Sequence, residues 1–151
     1  MKLALRYGLL VAAGVMAWSI IAHIVVPDPT SSVHGIGAPI FFNLLQFVGI
    51  YLGISASGRE LGERPTFKQA LKTGVWISFV YAATVSLFFL CVIFVMGPRW
   101  LAGEPGAQQL PMSRVAIQAF IGLFVGSMLF GLIYSTVIAF AMAKRQTTDV
   151  R

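Results

Sequence analysis

Charge is scarce in this chain. Of 151 residues only 16 are charged, 11% of the total, and just five of them are acidic, whereas a soluble globular domain carries roughly 25%. So few charges cannot cover a soluble surface, which excludes an ordinary cytosolic enzyme. The 58% apolar content excludes a disordered chain. A single cysteine, Cys91, excludes an internal disulfide. It lies inside an apolar run and is expected to be a small buried hydrophobe, because apolar burial disfavours the reactive thiolate. No phosphate loop, CxxC, HExxH or Ser-His-Asp pattern occurs. No Asp, Glu, Lys or Arg interrupts the long apolar runs, yet proton-coupled exporters and ion pumps need an ionisable group at membrane depth. That absence speaks against a proton-driven antiporter. The net charge of +6 would indicate nucleic acid if it formed a patch on a soluble domain. Here the basic residues lie between apolar runs, so no nucleic-acid partner is expected.

What the chain does have is apolar length. A bilayer crossing takes about 20 apolar residues, and four runs meet that demand, at about 7–26, 38–57, 74–96 and 114–143. Pro27-Asp28-Pro29 closes the first, Gly37-Ala38-Pro39 opens the second, Gly97-Pro98 stops the third, and Ser113 is the expected N-cap of the fourth. Lys2 and Arg6 before the first run resemble the start of a signal peptide, but its length and the three runs that follow favour an uncleaved helix. The fourth run exceeds what a bilayer requires and must tilt or project. Nine of the eleven basic residues precede run one, lie between runs two and three, or follow run four. Only Arg99 and Arg114 fall elsewhere. The positive-inside rule then places both termini and the middle connection in the cytoplasm. The expected architecture is a single all-α domain, a bundle of four transmembrane helices, in a bacterial inner membrane.

The middle connection carries an interfacial turn at about 66–73. Thr66 and Gln69 match a capping box, and Phe67, Lys68 and Lys72 are expected to anchor it at the headgroup boundary. Trp100, beside Arg99, is the expected anchor on the outer side. Within lipid, close approach at small residues drives helix association. Gly49 and Gly53 form one GxxxG step and Gly122 and Gly126 a second, with Ser127 and Gly131 an overlapping small pair. Packing within the bundle is the expected use of these steps. Asn43 and Gln46 share a helix face and need partners, with Ser78, Thr84, Ser86 or Gln118 as candidates. They serve either interhelical hydrogen bonding or, together with Gln118, a polar pocket. His23, Asp28 and His34 are the one cluster resembling metal or pigment chemistry, but their spacing fits no metal motif, so no metal, cofactor or catalytic residue is expected.

Gly53-Ile54, Arg59-Glu60 and the stretch Thr66-Phe67-Lys68-Gln69-Ala70-Leu71-Lys72-Thr73-Gly74 resemble a family of small four-helix bacterial inner-membrane proteins known only as a domain of unknown function. The resemblance implies four spans and no activity. The expected role is a non-enzymatic structural or accessory subunit of a larger membrane complex, respiratory or photosynthetic for example, with the lipid bilayer and a membrane-protein partner or second copy as its contacts. The alternative is a small transporter or carrier for a neutral or lipid-like molecule.

Overall fold

The computed structural model describes residues 2–28, 31–62, 65–97 and 111–148, with the side chains of 61 and 144–148 left aside. All regular structure among them is helical: α1 (Lys2–Val25), a π-helical turn (Val33–Gly37), α2 (Ala38–Leu61), α3 (Phe67–Met96) and α4 (Met112–Thr148). All four helices are long and apolar enough to cross a membrane.

The helix ends have local causes. Pro39 sits in the first turn of α2, where its missing N–H is not required. At the other end Gly62 takes a left-handed conformation, φ 68°, and its N–H bonds the Arg59 carbonyl at 3.3 Å, the αL stop that glycine makes without strain. The capping box at the start of α3 is present. Gln69 N–H donates to Thr66 Oγ1 at 3.4 Å, and Thr66 N–H donates to Gln69 Oε1 at 3.0 Å. From that cap α3 continues without a break to Met96, so the interfacial turn is the first part of the third long helix. Ser113 is not the cap of α4. That helix begins one residue earlier, and Pro111 supplies the carbonyl that receives the Arg114 and Val115 N–H groups.

Small residues set the packing. A Cβ on Gly8 would meet Val80 at 2.7 Å and the Ile77 carbonyl at 3.0 Å, while Gly49 is seated on Val11, and Gly53 on Tyr7 and Ile77. These contacts run α1 antiparallel to α2 and parallel to α3. The most extensive interface, α3 against α4, is a zipper of small residues. Ser135 fills the space over Gly74, and Ser78 the space over Gly131. The antiparallel register that these two pairs define continues into Ala70, Ala82 and Ser86 on α3 and Ala139 on α4, all buried. Each partner position lies four residues from the next, which is one face of a helix, and such faces let backbones approach closely.

One core cluster joins all four helices through Ala4, Ile50, Ile54, Ala70, Ile77, Ile138 and Ala139. A second joins α1, α2 and α3 through Val11, Ala12, Val15, Tyr81 and Val85. The 37 residues of α4 span about 55 Å, against about 30 Å of hydrocarbon. By the Gly74–Ser135 register, Phe67 at the start of α3 is level with Met142. The last six residues of α4 therefore project about 9 Å past the start of α3.

Candidate functional site

Three of the five buried polar residues among those described, Gln46, Ser78 and Ser135, gather where α2, α3 and α4 meet. Gln46 is buried and its Nε2 donates to the Ser127 carbonyl at 2.8 Å. Tyr81, also buried, shares a side-chain hydrogen bond with Ser127. Ser78 and Ser135 are fully buried and donate to carbonyls one turn back on their own helices, Gly74 at 2.9 Å and Gly131 at 2.6 Å. Local bonds of this kind satisfy a hydroxyl without a second helix. The seam combines close backbone approach with an amide that ties α2 to α4.

Asn43 faces a different space. Tyr134 Oη donates to its Oδ1 at 2.9 Å, while its Nδ2 donates to the Pro39 carbonyl at 2.8 Å. Side chains on a helix lean toward its N-terminus, which lets the Tyr134 phenol reach along α4 toward the start of α2. The pair floors an open groove of about 450 Å³ lined by Pro39, Ile40, Asn43, Leu44, Phe47 and Tyr134. Phe47 meets the Tyr134 ring edge to face at 5.6 Å, and Phe130 stacks on it at 6.1 Å.

Asn43, Gln46 and Gln118 therefore do not share a pocket. Gln46 is in the seam, Asn43 in the groove, and Gln118 on the exposed surface of α4. The expected polar partners also differ. Thr84 bonds the Val80 carbonyl of its own helix at 2.8 Å, and Ser86 is buried with no hydrogen-bond partner. Tyr134 partners Asn43 and the Ser127 carbonyl partners Gln46 in their place. The sequence does not single out Tyr134, because its phenol reaches across to α2 from a position seven residues beyond Ser127 and its spacing alone does not select that neighbour.

The two glycine steps part company. Gly49 and Gly53 are buried against α1 and α3, whereas a Cβ on Gly122 or Gly126 would meet nothing within 4 Å. On α4 the contact with α3 lies on the adjacent stripe, at Gly131 and Ser135. Cys91 is exposed on α3. This corrects the expectation of a buried thiol, because an apolar run in a bundle of this kind has an outward face as well as an inward one. Phe67, Lys68 and Lys72 are exposed at the start of α3; Trp100 lies outside the described residues. His34 Nε2 donates to the Val26 carbonyl at 2.7 Å, and His23 and Asp28 are engaged in interactions of their own. Among the described residues no group of three His, Cys, Asp or Glu side chains is arranged to hold a metal ion.

The class that fold and site define is a helical bundle of membrane-spanning dimensions in which buried hydroxyls bond their own helices while Gln46, Asn43 and Tyr134 tie α2 to α4. Comparison with family models, with curated proteins and with solved structures finds no match in any of the three.

Proposed function

We propose that this chain is a non-enzymatic integral membrane protein of a bacterial inner membrane, a structural or accessory subunit of a larger membrane complex such as a respiratory or photosynthetic one. Both termini and the middle connection lie in the cytoplasm in this reading, as the positive-inside rule requires. The supporting observation is the outward face of α4. Only 11% of its apolar stretch is buried, against 28–33% for the other three helices. That face carries Gln118, Gly122 and Gly126 at spacings of four, an amide followed by two glycines open to a close approach. In lipid an amide of this kind gains from a partner, and small residues supply the packing.

Purification in mild detergent tests the reading. The expected species is an assembly larger than one 16.4 kDa chain in its micelle, dissociated by Gly122→Leu with Gly126→Leu. A strictly monomeric chain with no co-purifying protein overturns it. The groove over Asn43 and Tyr134 favours a second reading, a carrier for a neutral or lipid-like molecule. Asn43→Leu separates the two, since it abolishes transport in a carrier and leaves a subunit assembled. The resemblance to a domain of unknown function adds no activity to either reading.

A further inference from the structure

Along α3, Lys68, Lys72, Trp76 and Phe79 follow one another at spacings of four, four and three, which places them on one stripe of the helix. All four are exposed. The stripe changes character along its length, with two ammonium groups in the first two turns followed by two aromatic rings. Trp76 and Phe79 meet edge to face at 5.8 Å, and Phe79 meets Phe124 of α4 in the same way at 6.0 Å. The rings thus form one apolar surface across the α3–α4 junction, beginning a single helical turn from Lys72.

We propose that this stripe binds one anionic phospholipid, with its phosphate on Lys68 and Lys72 and its acyl chains over Trp76, Phe79 and Phe124. The inference rests on the reading of the chain as membrane-embedded, but not on its role as a subunit. Charge and depth choose the occupant. A soluble acidic partner would have no use for aromatic rings leading into the hydrocarbon, and a zwitterionic lipid offers no net charge to two lysines. A lipid whose anionic head and apolar body are one molecule fits both halves. Indole at the level where headgroup gives way to acyl chain is where tryptophan concentrates in membrane proteins, and lysines at the cytoplasmic surface attract anionic headgroups. Lys2 and Arg6 stand at the same end of the bundle but on α1, which packs on α2 and α3. They provide an internal control for general electrostatic attraction.

Quenching of Trp76 by brominated lipid tests the proposal. The chain carries Trp18→Phe and Trp100→Phe, so that Trp76 alone reports, and is reconstituted in phosphatidylcholine vesicles. Brominated phosphatidylglycerol is then compared with brominated phosphatidylcholine. The anionic lipid is expected to quench at a much lower mole fraction, and Lys68→Gln with Lys72→Gln to weaken its apparent affinity by roughly thirtyfold. Arg6→Gln is expected to leave the preference in place. High salt in the parent chain should reduce the same preference without any change at the lysines, so the test does not depend on folding of the double variant. Equal quenching by the two lipids overturns the proposal. So does a preference that survives the double lysine variant, or one that Arg6→Gln removes as fully. Loss of the lipid preference with the native assembly intact refutes this inference alone, whereas a monomer that keeps the preference refutes the subunit reading alone.

Discussion

Gly131→Ala and Gly126→Ala make a sharp contrast on a single helix. The two positions are five residues apart on α4. A Cβ at Gly131 would run into Ser78 Oγ and Cβ and approach Gln46 Nε2 to 2.7 Å, whereas a Cβ at Gly126 meets open space. Alanine gains about 1 kcal/mol of helix propensity over glycine at either site, so Gly126→Ala should be neutral or stabilising by up to about that amount. At Gly131 the added methyl must push α3 from α4. Overpacking costs about 1–3 kcal/mol, and a displaced Gln46 forfeits an interhelical hydrogen bond averaging about 0.6 kcal/mol. After the same propensity gain, Gly131→Ala should be destabilised by about 1–2 kcal/mol. The two variants should therefore differ by about 2 kcal/mol or more. Unfolding in mixed micelles of mild detergent and dodecyl sulfate, followed by circular dichroism, measures the difference. Ser78→Gly placed in the Gly131→Ala background removes the obstructing side chain and should recover most of the loss. Equal stabilities for the two alanine variants, or no recovery with Ser78→Gly, would refute the proposed packing of α3 on α4.

Two further outcomes follow from local geometry. A double-mutant cycle with Asn43→Leu and Tyr134→Phe should return a coupling near the 0.6 kcal/mol average for interhelical hydrogen bonds in membranes, since their side chains meet at 2.9 Å; zero coupling in the same unfolding assay would show that the pair is not formed. Thr66→Ala removes the acceptor for the Gln69 N–H and should cost about 1 kcal/mol, seen as faster hydrogen exchange in the first turn of α3, with unchanged exchange there counting against the capping box.

The helices were largely legible because apolar runs are bounded by residues with strong backbone preferences. Pro27 and Pro39 flank the first connection, Gly62 ends α2 with a positive φ, and Gly97 follows α3. Where no such residue stands, the expected bounds fell short. Nothing before Tyr7 stops a helix, so α1 extends back to Lys2, and nothing after Ala143 stops α4 before Thr148. The contacts between helices were harder to read. On α4 two small-residue stripes run side by side, Gly122–Gly126 and Ser127–Gly131–Ser135–Ala139, and local sequence does not rank them. The choice is made by the matching series Ala70, Gly74, Ser78, Ala82 and Ser86 on α3, which aligns with the second stripe in antiparallel register. The amide partners were illegible for the same reason. Gln46 and Asn43 reach Ser127 and Tyr134, 81 and 91 residues away in the chain, and only the register of α4 decides which residues stand opposite them.

Accessibility of single cysteines in spheroplasts tests the central claim most directly. In a Cys91→Ser background, Ser32→Cys, at an exposed position, reports on the connection between α1 and α2, Glu60→Cys on the end of α2, and Thr147→Cys on the projecting end of α4. A four-span bundle with both termini cytoplasmic predicts that a membrane-impermeant maleimide labels position 32 in intact spheroplasts and reaches positions 60 and 147 only after permeabilisation. Labelling of 60 or 147 in intact spheroplasts, or protection of 32, would contradict it.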